Sequence, residues 1–407
     1  MERFDVIIVG AGHAGAQAAA VLRQAKFTGS IALVGDEPEY PYHRPPLSKE
    51  YMAGEKTFDR ILLKATQYWT DQNIELLRDT QIVAIDPAQQ RVVTARGKDI
   101  GYGSLVWAAG GTPRRLSCPG ASLGGVTTIR ARADIDRIMN RLEHIDNVVV
   151  IGGGYIGLEA AAVLRKMGRA VTVVEAQSRV LSRVAGPMIA DYMTARHRSA
   201  GCDFRLATGV QQLIGEQGQV EAVQLANGEQ LPADLVVVGI GIEPNVAPLL
   251  AIGAEGGNGV LVDDQCRTTL DNIYAIGDCA LHVNRYADNA TIRLESVQNA
   301  NDMAAVAAKT IAGLAAEYNS VPWFWSNQFD IRLQTMGLSS GFDEELVRGD
   351  PSTDSFSVFY RRNGRLTACD SVNAPADYVQ SKMLIMRGGQ VDAAALTDPG
   401  VMLKDLA

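Results

Sequence analysis

The stretch Val6-Ile7-Ile8-Val9-Gly10-Ala11-Gly12-His13-Ala14-Gly15 decides how this 407-residue chain folds. Four apolar residues, the right length for a buried strand, run directly into three glycines spaced Gly-x-Gly-x-x-Gly. The first glycine permits a tight turn. The second lets main-chain N–H groups approach a pyrophosphate, and the third lets a helix lie close to the strand. The Ala-rich segment 14–22 supplies that helix, whose N-terminus favours negative charge. Ile31-Ala32-Leu33-Val34 reads as the next strand. Asp36 and Glu37 close it, 21 and 22 residues past Gly15. An acid about 20 residues past such a turn reaches a ribose hydroxyl. Gly10, Gly12 and Gly15, with Asp36 or Glu37, are thus one candidate dinucleotide site.

The design occurs twice. Val148-Val149-Val150-Ile151 leads into Gly152-Gly153-Gly154-Tyr155-Ile156-Gly157, a helix is predicted over 155–167, and Val171-Thr172-Val173-Val174 ends at Glu175. A carboxylate there accepts from the 2′-hydroxyl of NADH and repels the 2′-phosphate of NADPH. Ala176, Gln177 and Ser178 follow it rather than a basic pair, although Arg179 stands nearby. One such motif could be an ordinary tight turn. Two, each with its own strand, helix and acid, suggest two dinucleotides brought face to face.

Composition narrows the class. Apolar residues are 47% and charged residues 21%, as in an ordinary globular protein of two or three domains. A net charge of −8 argues against a nucleic-acid or membrane surface. No apolar stretch approaches the roughly 20 residues that span a bilayer. The five cysteines are scattered without a CxxC or metal-type pairing, so no metal site is expected and the usage fits a reducing cytoplasm. No basic leader precedes the first strand, so no signal peptide is expected.

Elsewhere the chain punctuates itself. Residues 38–46 form a loop rich in Pro, Tyr, His and Arg, and a helix is expected to start at Leu47-Ser48-Lys49. A strand ends at Ala108-Ala109-Gly110. Residues 301–315 read as an Ala-rich helix. After residue 320, Trp323, Phe324 and Trp325 cluster, and runs at 355–360 and 366–372 flank the hairpin dipeptide Asn363-Gly364. The expected fold class is α/β, with two Rossmann-type nucleotide-binding domains and a small α+β C-terminal domain. The expected segments are 1–112, 113–242, 243–319 and 320–407.

Further blocks carry a resemblance: Arg44-Pro45-Pro46-Leu47-Ser48-Lys49, Gly239-Ile240-Gly241-Ile242-Glu243-Pro244-Asn245, Gly277-Asp278-Cys279-Ala280, Glu295-Ser296-Val297-Gln298-Asn299-Ala300 and Pro322-Trp323-Phe324-Trp325-Ser326-Asn327-Gln328. With the two glycine turns they resemble the FAD-dependent, NADH-dependent ferredoxin reductases of bacterial oxygenase systems, over nearly the whole chain. The resemblance implies a glutathione-reductase-like fold, with an FAD domain interrupted by an NADH domain. It assigns Ala14, Asp36, Lys49, Ile82, Arg130, Asp278 and Val297 to FAD, with Arg44 on the adenine side. NADH falls to Gly152–Gly157 (Ile156 included), Glu159, Glu175 and the Gly239–Gly241 turn. The family's Ala-Thr-Gly is Ala108-Ala109-Gly110 here, so one local contact differs.

Two charges stand in awkward places. Glu159 lies on a helix expected to pack on a sheet, and a buried charge is costly unless paired. Lys49 and Glu159 are expected to meet near the flavin N5, where Lys49 would favour the charge of reduced flavin. An Asp278 at a helix start suits a ribityl hydroxyl, and Trp325 or Trp323 could shield the flavin edge. The loop 42–49 holds no cysteine, whereas flavin disulfide reductases carry a thiol pair and peroxidases one thiol beside the ring. Reduced flavin would then deliver electrons outside the protein, to a 2Fe–2S ferredoxin serving a haem monooxygenase or a ring-hydroxylating dioxygenase. Because this chain is acidic, a local basic patch would have to win at short range. Arg361, Arg362, Arg365, Arg293 and Arg332 are its candidates. A monomer or weak dimer is expected. The competing readings are an NADH oxidase or peroxidase, and a redox interaction protein like apoptosis-inducing factor.

Overall fold

In the computed structural model, which describes residues 1–406, the chain divides into two compact units. The first comprises residues 1–43, 58–112 and 243–322. Its central strands run parallel in the order Ile74–Leu77, Ile31–Val34, Glu2–Val9, Asp99–Trp107, and Ile273–Ala275 also pairs with Asp99–Trp107. Arg91–Thr94 and Ile82–Asp86 extend the sheet antiparallel. Glu2–Val9 is central, with Val6, Ile7 and Ile8 fully buried, which accounts for its unbroken apolar run. The helices His13–Gln24 and Val297–Ile311 pack against each other through their alanines, whose small side chains allow close approach.

The second unit comprises residues 44–57, 113–242 and 323–406. It holds a second parallel sheet in the order Cys202–Arg205, Ala170–Val174, Asn147–Ile151, Leu235–Val238, Val126–Thr127. It also holds an antiparallel sheet in the order Trp323–Gln328, Ile331–Gly337, Arg365–Val372, Ser355–Arg362, Glu344–Asp350. The helix Pro375–Arg387 packs on that sheet. Residues 44–57 join this unit because Pro45–Ser48 lies against the helix Tyr155–Lys166.

Three elements differ from expectation. The start at Leu47 is a 3₁₀ turn, Pro45–Ser48, whose two prolines preset the tighter backbone. The expected helix at 301–315 is Val297–Ile311, because Ser296 caps it by accepting from the Asn299 N–H at 3.0 Å. Gly277–Cys279 is a single 3₁₀ turn rather than a helix start. Among the described residues, no helix is long and apolar enough to cross a membrane.

Candidate active site

Both glycine turns are shaped by contacts that only glycine tolerates. Gly10 has φ +111°, and a Cβ there would stand 2.1 Å from the Ala108 carbonyl oxygen. A Cβ on Gly15 would stand 1.9 Å from the Gly10 oxygen, so the helix sits directly on the turn. The second unit repeats this: Gly152 has φ +108° with Gly239 O 2.3 Å from its Cβ position, and Gly157 would meet Gly152 O at 2.2 Å. The middle glycines differ. A Cβ on Gly12 or Gly154 would meet nothing within 4 Å. Each is the N-cap of its helix and brings no capping side chain. Two helix N-termini thus face open space with main-chain donors available, which fits a pyrophosphate at each.

The acids behind the turns are engaged differently. Glu175 Oε2 accepts from the Gly153 N–H at 2.7 Å and Oε1 from the Gln177 N–H at 2.8 Å. It braces the turn and keeps further lone pairs for a ribose. Arg179 is turned away, donating to the Ala185 carbonyl at 2.7 Å. In the first unit Asp36 is exposed, while Glu37 accepts from the Tyr42 hydroxyl at 2.5 Å. Gly277, at φ +72°, leaves its Cβ position 3.2 Å from the Ala14 methyl, so Asp278 follows a turn pressed against the first helix. Ile82 starts the strand Ile82–Asp86 and Val297 starts the helix Val297–Ile311. In the second unit Arg44 donates to the Arg130 carbonyl at 2.6 Å. Ile156 is 46% exposed at the open helix start, and Gly241 turns at φ +96°.

Lys49 and Glu159 meet. Lys49 Nζ donates to Glu159 Oε2 at 2.5 Å, with only 11% of the lysine side chain exposed and Glu159 buried. Ser48 Oγ donates to the same oxygen at 2.5 Å, and Ser326 Oγ donates to Oε1 at 2.6 Å. A buried carboxylate with one cation and two hydroxyls on it is a satisfied anion. The serines carried no signal of their own beyond their place in the blocks quoted above. Strand alternation was the available clue: on Trp323–Gln328, residues 324, 326 and 328 share a face, and Ser326 and Gln328 on it are polar yet buried. Trp323 and Trp325 lie on the opposite face, half-buried, with ring centroids 5.6 Å apart. Phe324 stacks at 4.4 Å on Tyr155, the first residue after Gly154.

No activated thiol stands in either unit among the buried cysteines. Burial pushes Cys202 up to about 11 and Cys279 and Cys369 up to about 12, and raises Cys266 further. A redox or nucleophilic cysteine needs the opposite shift. Two expected docking cations are already committed. Arg361 pairs with Glu344 at 2.9 Å and Arg293 with Glu295 at 2.8 Å, each arginine nearly buried.

Comparison with known proteins places this geometry. Residues 4–304 match the pyridine nucleotide-disulphide oxidoreductase family, and residues 323–407 match a reductase C-terminal domain. The chain is similar to the 5,5′-dehydrodivanillate O-demethylase ferredoxin reductase subunit of a Sphingobium species. They share 53% identity over 407 residues, covering 100% of this chain and 99% of that one. Among solved structures it resembles the ferredoxin reductase for the CYP199A2 system of Rhodopseudomonas palustris, with TM-score 0.95 and 40% identity over 99% of this chain and 100% of that one. It equally resembles putidaredoxin reductase in its covalent complex with putidaredoxin, with TM-score 0.95 and 38% identity over 100% and 98% of the two chains.

Proposed function

The chain belongs to the pyridine nucleotide-disulphide oxidoreductase family, and from that premise we propose that it is an NADH-dependent, FAD-containing ferredoxin reductase. The observation that carries the reading is the Lys49–Glu159 pair, which ties the cysteine-free stretch 44–49 to the helix Tyr155–Lys166. Supporting it are two open, glycine-capped helix starts and relatives that are themselves named ferredoxin reductases.

The chemistry that FAD would supply when bound is acceptance of a hydride from the nicotinamide and release of its two electrons singly. The protein's residues hold and orient. In the first unit Gly10, Gly12, Ala14, Gly15, Asp36, Glu37, Ile82, Asp278 and Val297 serve FAD. In the second, Arg44, Lys49, Arg130 and Trp325 do so. Gly152, Gly154, Ile156, Gly157, Glu159, Glu175 and Gly241 serve NADH. Lys49 holds a cation, fixed by Glu159, that would favour negative charge on a reduced flavin beside it. Glu175 favours NADH, and Arg179 is engaged with the Ala185 carbonyl rather than standing free for a 2′-phosphate. The carrier is a 2Fe–2S ferredoxin feeding a haem monooxygenase or ring-hydroxylating dioxygenase. The division into 1–112, 113–242, 243–319 and 320–407 and a cytoplasmic location belong to the same proposal.

NADH-dependent cytochrome c reduction, measured with and without 2Fe–2S ferredoxins of the same genome, tests it. One ferredoxin is expected to raise the rate at least about tenfold over the protein alone. Equal rates with every ferredoxin, alongside oxygen consumption that accounts for all NADH oxidised, would favour an oxidase and reject the proposal.

A further inference from the structure

Behind Glu159 the hydrogen bonds continue into the protein. Ser326 Oγ, which donates to Glu159 Oε1, accepts from Gln328 Nε2 at 3.0 Å. Gln328 Oε1 faces His197 Nε2 at 2.8 Å. Ser326, Gln328 and His197 are each at most 1% exposed. These contacts permit one arrangement of protons. A carboxylate can only accept, so Ser326 donates to it. The Ser326 oxygen therefore receives the Gln328 amide hydrogen, and Gln328 Oε1 receives the His197 Nε2 hydrogen. His197 is then the tautomer with a bare Nδ1, and that atom has no partner. The rings of Phe204 and Phe329 stand edge-on to the imidazole at 6.0 and 4.9 Å, so protonation at Nδ1 would bury an unpaired charge.

The two oxygens of Glu159 are thereby divided. Oε2 is taken by Lys49 and Ser48, both of the loop after Arg44, and Oε1 by Ser326 alone. Among the described residues no other group hydrogen-bonds Oε1, so the Ser326 bond sets the roll of the carboxylate about its own axis. We infer that Ser326, aimed by Gln328 and the fixed tautomer of His197, is a positioning residue that sets the orientation of Glu159 and hence the place of the Lys49 ammonium during hydride transfer. This rests on the ferredoxin-reductase reading above. The histidine is a one-way donor at the end of the line. Its neutral form is held by burial, which keeps its pKa below the usual range, so the line does not reverse near neutral pH.

The test uses the flavin-loaded protein. Flavin reduction by NADH is followed anaerobically by stopped flow, and the flavin midpoint potential is measured alongside, for wild type, Ser326→Ala, Ser326→Thr and His197→Phe. Ser326→Ala is expected to slow flavin reduction at saturating NADH about tenfold and to make the potential more negative. Ser326→Thr, which keeps the hydroxyl, restores both, and His197→Phe shifts both in the direction of Ser326→Ala by a smaller factor. A purely structural role would lower thermal stability and leave the potential alone. Wild-type rate and potential in Ser326→Ala overturn the inference. If that variant does not take up flavin, unchanged rate and potential in His197→Phe overturn it instead. Failure of the underlying reading shows separately, as a wild-type flavin that NADH does not reduce.

Discussion

Lys49 Nζ and Glu159 Oε2 lie 2.5 Å apart across 110 residues of sequence, and two serine hydroxyls complete the shell of the carboxylate. The pair has a structural cost and a chemical use, and these separate by mutation. Lys49→Met leaves a buried anion with hydroxyls only, and is expected to lose about 3 kcal/mol of stability. Replacing both, as Lys49→Met with Glu159→Leu, is expected to recover most of that loss in denaturant melts. Both variants should reduce flavin with NADH about a hundredfold more slowly than wild type. Recovery of the rate along with the stability would show the pair to be structural only.

The glycines of each turn should separate by role. Gly15→Ala and Gly157→Ala drive a methyl into main-chain oxygens and are expected to misfold. Gly12→Ala and Gly154→Ala meet nothing and should keep the wild-type melting temperature of the nucleotide-free chain. Gly12→Ala should nevertheless weaken FAD binding, and Gly154→Ala should raise the NADH dissociation constant, each about tenfold or more, because the methyl fills the approach to the helix start. Fluorescence titration of each nucleotide checks this; unaltered binding would place the nucleotides elsewhere.

Glu175 bears on selectivity. It braces Gly153 and Gln177 through their N–H groups, while Arg179 is tied to Ala185. Glu175→Ala is expected to raise the KM for NADH about tenfold without creating an NADPH activity. Steady-state kinetics with both nucleotides reads the outcome. A gain in kcat/KM for NADPH would mean that Arg179 swings out once the acid is gone.

A pH dependence follows from Asp370. Burial pushes its carboxyl up to about 6, against hydrogen bonds from the Thr335 hydroxyl and from the Tyr360 hydroxyl at 2.7 Å. The folded chain therefore keeps a proton that the unfolded chain has already released, so this group lowers stability as pH rises from about 4 to 6. His282, pushed down to about 4 by burial, acts in the opposite sense over the same range. Asp370→Asn removes only the first effect. Its melting temperature should gain on wild type by a few degrees between pH 4 and pH 7 and run parallel above. A difference independent of pH would remove Asp370 from the account.

Much of this was legible in the chain, and the rest failed for physical reasons. The two glycine turns are local, so glycine spacing and the apolar runs before them were enough to place them. The helix at Val297 begins four residues before the expected 301. Its first turn carries Gln298 and Asn299, polar residues that are buried, so the Ala-rich run marks only the later part of the helix. Ser326 sits 167 residues from Glu159, and no local pattern announces a bond of that reach. Of the arginines named as candidates for a basic docking patch, Arg361 pairs with Glu344 and Arg293 with Glu295, partners that the sequence alone does not show. Charges near each other in the fold neutralise one another before any partner arrives.

As a ferredoxin reductase, the chain should carry electrons from NADH no further inside itself than its flavin. Anaerobic titration of the oxidised protein with NADH, read by flavin absorbance, tests it most directly. Full bleaching is expected at about one equivalent of NADH per flavin, with no thiol pair to fill. Uptake of about two equivalents before the spectrum stops changing would contradict it, because a second two-electron acceptor would then lie within the protein.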